Sequence, residues 1–301
     1  MAKPLISVVV PTFSKVKLLA DCLASVREQS HRDLECIVVD DGSPHGGEIR
    51  EVVFAQADPR FFYLRLEANS GPGAARNAGA RIAKGDWIIF VDEDDFLAPC
   101  CLEKLLGEAV RNGADVVSPW LQKVGGESGL WRPRRPPSRE SAPDMYVAGA
   151  GVLISRQLWE RVGGYDESSE ILGREDYEFW VRALRMTDRV FIVEEPLYFY
   201  RKCGNELSLS SSTKMREVSV RKAIVRKHKD LYAAFPVHTR HFLAEGYYLQ
   251  ASAHMAAQKW FLGIVYSLLA YCYVPSKKRF KFFLKCVIAG LATMCRFHVY
   301  S

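Results

Sequence analysis

Apolar runs and helical periodicities alternate along the first third of the chain. Residues 5–10 (LISVVV) form an apolar, β-branched run that stops at Pro11, the pattern of a strand buried on both faces. Over 16–29, Leu18, Leu19, Cys22, Leu23 and Val26 recur at helical spacing. A second strand is predicted over 34–39, a helix over 47–57 and a third strand over 61–66. Gly71-Pro72-Gly73 opens a helix that runs to Ala83, and 87–91 reads as a fourth strand. Regular strand–helix alternation with short connections implies an α/β fold, a mostly parallel sheet covered by helices on both faces.

Residues 118–146 break the pattern. Five prolines, Trp120, Trp131 and an Arg-Pro-Arg-Arg-Pro-Pro run predict an irregular surface excursion. A small-residue stretch at 148–151 precedes a helix over 156–162, then Gly163-Gly164-Tyr165-Asp166-Glu167 and a further helix starting near Arg174-Glu175-Asp176.

In sheets of this kind ligands bind beyond the carboxyl ends of the strands. Three strand ends carry polar segments: Pro11-Thr12-Phe13-Ser14, Asp40-Asp41-Gly42-Ser43 and Asp92-Glu93-Asp94-Asp95. Four consecutive carboxylates repel one another. A divalent cation with hard oxygen ligands relieves the repulsion and brings a diphosphate with it; the plainer alternative is a solvated acidic turn capping a helix, which Pro99 is well placed to open. Gly71-x-Gly73-x-x-Arg76 lacks the third glycine of a dinucleotide fingerprint, which excludes an NAD site.

Composition adds a globular core and a compartment. Of 301 residues 49% are hydrophobic and 25% charged. Eight cysteines without a CxxC pair read as reduced thiols of a cytosolic protein, and Met-Ala-Lys-Pro leads into a strand without signal-peptide character. The net charge of +6 hides an asymmetry: fifteen Lys/Arg against three acids from residue 214 onward give +12, leaving −6 for residues 1–213.

Five ordered motifs, SVVVPTFS, VVDDGS, GPGAARNAG, FVDEDD followed by Pro99, and GGYDE with GREDYEFW, resemble the family 2 glycosyltransferases over residues 5–205. The resemblance implies a GT-A domain that transfers a sugar from a nucleotide diphosphate donor with inversion. It implies that Pro11, Thr12 and Phe13 border the base and that Asp41 accepts from the base imide N–H, which suits uracil or thymine and hence a UDP-sugar. An Asx-turn closing the strand is the alternative use of Asp41. Arg76 would reach the nucleotide or its diphosphate, or be an ordinary surface arginine. Asp94 would ligate Mg²⁺ or Mn²⁺, with Asp92 nearer the ribose or the metal's water shell, and Asp95 capping the helix or supporting the ligands from behind. Glu93 stands where the family usually has a small residue.

By the same resemblance Asp176 is the general base, with Glu175 orienting it or the acceptor; acids placed favourably at a helix amino terminus are the alternative. Gly163–Glu167 would shape the acceptor side and Trp180 would pack there or in the core. Arg201 would contribute to diphosphate binding, while Cys203 replaces a histidine found in many relatives.

The apolar stretches 260–274 and 282–295, separated by Pro-Ser-Lys-Lys-Arg-Phe-Lys, are too short to span a bilayer. Their aromatics and lysines favour a peripheral anchor on the inner face of the cell membrane, over a hairpin buried in a homodimer or against the domain, and over a span. Nucleic acid is excluded because the basic residues interleave with aliphatics. The reading is a GT-A catalytic domain over 1–210 and a basic, apolar helical region over 211–301. Together they make a metal-dependent hexosyltransferase-like enzyme acting on a glycan or lipid-linked glycan in bacterial polysaccharide biosynthesis. Its rival is a catalytically silent sugar-nucleotide or glycan-binding scaffold. A nucleotidyltransferase is excluded because Pro11-Thr12-Phe13-Ser14 stands where a Gly-rich triphosphate loop belongs.

Overall fold

The computed structural model describes residues 4–126, 128–132, 136–142, 150–202 and 214–298, without the side chains of 292–298. Cys203, 143–149 and part of the Arg-Pro run lie outside the described residues. The chain divides into two compact units. One comprises Met1–Ala142, Tyr146–Glu167 and Glu175–Asn205; the other comprises Pro143–Met145, Ser168–Arg174 and Glu206–Ser301.

The first unit contains β1 (Ile6–Thr12), α1 (Val16–Arg27), β2 (Leu34–Asp40), α2 (Gly46–Phe54), β3 (Phe61–Arg65), α3 (Pro72–Ile82), β4 (Trp87–Phe90) and β5 (Phe96–Leu97). It continues with α4 (Cys101–Asn112), β6 (Val116–Gly125), β7 (Gly129–Trp131), β8 (Leu153–Ser155), α5 (Arg156–Val162), α6 (Glu175–Ala183) and β9 (Val190–Lys202). The strands form one sheet in the order β3-β2-β1-β4-β8-β6-β9-β5, with β7 paired to β6. The expected parallel arrangement holds for β3-β2-β1-β4. Beyond them the sheet is mixed, because β8 runs antiparallel to both β4 and β6.

Every residue of β1 and β2 is buried, so both sheet faces are covered. Val8, Val10, Cys36 and Val38 share a core with Leu19, Leu23 and Val26 of α1 and Leu102 and Leu105 of α4. The alternate positions face α3, as the period-two geometry of a strand requires. There a Cβ on Gly79 would come within 2.4 Å of Val9 Cγ1 and 2.9 Å of Val39 Cγ2.

Two sequence expectations need correction. Part of the 118–146 stretch is not irregular: β6 pairs in parallel with β9 along its length, and β7 folds back on it. The ladder slips at Pro119/Trp120 and Trp120/Leu121, and Trp120 faces Pro196, so both strand prolines sit at a bulge where a missing N–H is tolerated. Nor does Pro99 open a helix. Ala98 donates to Leu197 O at 2.9 Å, extending the β5–β9 pairing, and α4 begins at Cys101.

The second unit is helical. After a 3₁₀ turn at Lys214–Arg216 come α7 (Glu217–Lys227), α8 (Lys229–Ala234), α9 (Pro236–Ala256), α10 (Trp260–Tyr273) and α11 (Lys277–His298). Val218, Tyr247 and Ala270 form its small core, with Tyr248, Tyr266 and Tyr273 packed around them. No described helix is long and apolar enough to cross a membrane.

Candidate active site

Parallel register places three strand ends side by side. Thr12 pairs with Asp40 and Val9 with Phe90. Asp41 N donates to Thr12 O at 2.9 Å and Val91 N to Val9 O at 3.0 Å. Pro11 and Thr12 are buried strand residues, and Phe13 follows exposed on the rim.

The four carboxylates of 92–95 diverge rather than cluster. Glu93 turns to the β1–α1 loop, accepting from Thr12 Oγ1, from the amides of Phe13 and Lys15 at 3.2 Å each, and from Ser14 N at 3.5 Å. Burial pushes its carboxyl pKa up, while the bonds from Thr12 and the loop amides pull it back. Asp94 pairs with the Lys15 ammonium. Asp95 is buried and does not cap α4; it accepts from Tyr198 Oη at 2.6 Å and Arg201 N at 2.8 Å, tying β9 to the rim. Burial, then the nearby Asp92 and Asp94, push the Asp95 pKa up to about 8.

Asp92 accepts from Arg76 Nη2 at 2.9 Å, and Arg76 Nη1 lies 3.6 Å from Glu175 Oε1 at the start of α6. Arg76 is buried, not a surface arginine, and its guanidinium lies over the Tyr165 ring at 5.4 Å. Burial pulls its pKa down, but Asp92, Tyr165 and Glu175 outweigh that and hold it above the usual arginine range. Its buried Nε has no hydrogen-bond partner among the described residues. Next to Glu175, Asp176 is half-buried and accepts from the Tyr177 amide at 2.7 Å.

The Asx-turn of the second strand belongs to Asp40, not Asp41: Ser43 N donates to Asp40 Oδ1 at 2.7 Å, while Tyr63 and Arg65 hold Oδ2. Asp41 clamps the entry to α3, accepting from Ser70 N at 2.8 Å and Gly71 N at 2.9 Å. Burial raises its pKa, and those two amides oppose the rise. Gly42, at φ +66°, is needed there, since a Cβ would lie 2.5 Å from Ala68 C.

Arg201 sits apart from the Arg76–Asp92 pair in its contacts. Its Nη1 donates to Asp21 at 3.0 Å and its guanidinium lies over Phe96 at 5.3 Å. Trp180 is buried, edge-on to Phe179 at 5.1 Å.

Three contributors escaped the sequence reading. Asn77 exchanges bonds with Tyr165 through Nδ2 to O (2.9 Å) and N to Oδ1 (2.8 Å), and donates to Glu167 at 2.7 Å. It thereby locks the GGYDE turn to α3; its place beside Arg76 was the available signal. Arg182 binds Glu178 and donates to Val162 O at 2.6 Å and Gly164 O at 2.7 Å, fixing the same turn to α6. Lys15 follows the first strand end directly and reaches Asp94.

Among the described residues no three His, Cys, Asp or Glu side chains converge into a metal cage. Asp92 and Asp94, now paired with Arg76 and Lys15, are the two carboxylates of that turn that neither support the β1–α1 loop nor tie β9 to the rim. That donor set fits Mg²⁺ or Mn²⁺, which are bound through one or two carboxylates and completed by substrate phosphates and water.

The polar segments lie beyond the carboxyl ends of parallel strands, where α/β sheets bind their ligands. The chain belongs to glycosyl transferase family 2, whose model matches residues 7–164. It is 33% identical over 226 residues to the uncharacterized glycosyltransferase EpsJ of Bacillus subtilis, covering 68% of this chain and 63% of EpsJ, so it spans under two thirds of that relative. It is 28% identical to the putative colanic acid biosynthesis glycosyl transferase WcaA of Escherichia coli, covering 76% of this chain and 83% of WcaA. The fold is GT-A. The S. aureus TarS 1–349 structure in complex with UDP aligns with TM-score 0.63 at 19% identity, covering 95% of this chain and 88% of TarS 1–349. The Pyrobaculum calidifontis mannosyltransferase PcManGT with GDP-Man and Mn²⁺ aligns with TM-score 0.58 at 18% identity, covering 97% of this chain and 87% of that one.

Proposed function

We propose that this family 2 glycosyltransferase moves a sugar, with inversion, from a UDP-sugar to a hydroxyl of a glycan or lipid-linked glycan in polysaccharide biosynthesis. One observation carries the reading: Arg76 joins Asp92 at a strand end to Glu175 at the start of α6, linking the donor-side and acceptor-side motifs. TarS in complex with UDP supports the uridine donor, and the name of WcaA supports a polysaccharide product.

Pro11, Thr12 and Phe13 border the base, whose imide N–H donates to Asp41. Arg76, with an unused buried Nε, offers positive charge to the diphosphate. Asp94 and Asp92 would hold a divalent metal, which would supply positive charge against the nucleotide diphosphate leaving group. PcManGT with Mn²⁺ supports manganese or magnesium in that role. Asp176 takes the acceptor hydroxyl's proton on a carboxylate oxygen, and Glu175, held by Arg76, orients the acceptor. Arg201, which pairs with Asp21 through Nη1, adds positive charge to the diphosphate.

Calorimetry with UDP, GDP, CDP and dTDP, each with Mn²⁺, Mg²⁺ or chelator, tests the donor side. Metal-dependent binding of UDP or dTDP alone, lost in Asp94→Ala, is expected. Absence of binding to any of the four would leave the silent glycan-binding scaffold instead. Asp176→Asn should lower transfer at least ~100-fold, the scale of general-base catalysis, with UDP affinity retained. Unchanged turnover would remove Asp176 from its role.

A further inference from the structure

Helix α10 is built inside out for a helix in water. Its buried positions are small, Gly263, Ser267 and Ala270, whereas Phe261 is 76% exposed and Leu262, Leu268 and Leu269 are 39%, 43% and 36% exposed. The sequence WFLGIVYSLLAYCY contains no charged residue, so this helix has no polar face to offer solvent.

Antiparallel to it runs α11. A Cβ on Gly290 would meet Ile264 and Trp260, and the Tyr271 and Phe280 rings are 5.5 Å apart at the other end. Helix α11 adds exposed Leu284, Ile288 (65%) and Leu291 (56%). Lys277, Lys278, Lys281 and Lys285 are exposed beside them, and no acidic residue follows Glu245. A contiguous apolar face of this kind marks a docking surface.

Charge and length choose the occupant. A second copy presenting the same face would bring the same lysines against these. A spanning role is excluded for α10 by its 14 residues. Leucine, isoleucine and phenylalanine flanked by lysines on a helix pair match the acyl boundary and phosphates of an anionic bilayer. We infer that the α10–α11 hairpin is a docking surface for an anionic lipid bilayer, lying in the headgroup plane. Phe261, Ile288 and Leu291 enter the acyl boundary, and the four lysines lie on lipid phosphates. The inference extends the lipid-linked acceptor of the proposed function, but vesicle binding needs neither donor nor acceptor, so each can fail alone.

The test is flotation of the full chain with vesicles of phosphatidylcholine alone or mixed with phosphatidylglycerol, at low and high salt. Binding only to the anionic vesicles, weakened by salt, is expected. The double variant Lys277→Glu/Lys281→Glu should lower the partition coefficient at least ~10-fold, since each basic residue near an anionic surface contributes roughly fivefold. Phe261→Ser/Ile288→Ser should also release the protein, with unchanged helical circular dichroism. No vesicle binding by the wild type, or equal binding to neutral vesicles, overturns the inference. So does a dimer in light scattering that Phe261→Ser dissociates, which would give the face to a second copy.

Discussion

Glu93 takes its role from partners distant in sequence. Its carboxylate gathers donors from Thr12, Phe13, Ser14 and Lys15, all some eighty positions away. Truncation to alanine would strand the Thr12 hydroxyl and the loop amides. Phe13 and Ser14 are exposed, so water replaces some of those bonds, and the expected stability loss is about 1–2 kcal/mol. Because the loop borders the proposed base site, Glu93→Ala should raise KM for the donor severalfold with kcat changed little. Glu93→Gln, which keeps an acceptor oxygen, should recover most of the loss. Steady-state kinetics with thermal melts of both variants would check this, and a fall in kcat at unchanged KM would show that Glu93 serves another step. The positions of the candidate residues at the rim were legible because strand ends and helix starts are local signals: Asp92 and Asp94 follow a strand end and Glu175 opens a helix. Pairings were not, since the contact of Glu93 with Thr12, or of Asn77 with Tyr165, is set by how the strands are ordered and not by neighbours in sequence.

At the scale of elements, buried parallel strands announced themselves as unbroken apolar runs, and β1, β2 and β4 matched their expected positions closely. Strands β6 and β9 did not, because Pro119 and the Glu194-Glu195-Pro196 break interrupt the alternation that marks a strand. Their bulged pairing makes both breaks tolerable, and only the partner strand reveals it. In the helical unit, His254 of α9 is buried 5.1 Å from the Tyr266 ring, and neither ring nitrogen has a hydrogen-bond partner among the described residues. Burial, and then Lys259, lower its pKa below the ordinary histidine value. An unfolded chain therefore binds a proton more readily than the folded one near pH 6. Stability is complete above the unfolded pKa, about 6.5, and falls as pH drops below it. Thermal midpoints between pH 7.5 and about 5.5 should decline less steeply in His254→Leu than in the wild type. Equal slopes would mean that the ring escapes to solvent before it is protonated.

At the scale of the whole molecule, the sequence carries its acidic excess before residue 214 and its basic excess after it, but does not say which amides a donor would protect. A ligand that binds only the folded state stabilises it by about 2.7 kcal/mol at a hundredfold excess over Kd. Local openings that break the site are suppressed by the same amount, whereas openings that leave it intact are not. The amides of Ser70 and Gly71 rest on Asp41, and those of Phe13 to Lys15 rest on Glu93. All belong to rim loops, where exchange without ligand should be faster than in the fully buried β1 and β2. Hydrogen exchange of the full chain with UDP and Mn²⁺ should therefore slow at 12–15, 41–43, 70–73 and 92–95, and leave α10 and α11 unchanged. Protection spread evenly over both units would reflect global stabilisation alone. Protection confined to the helical unit would move the nucleotide away from the strand ends, and with it the roles of Asp41, Arg76 and Asp92.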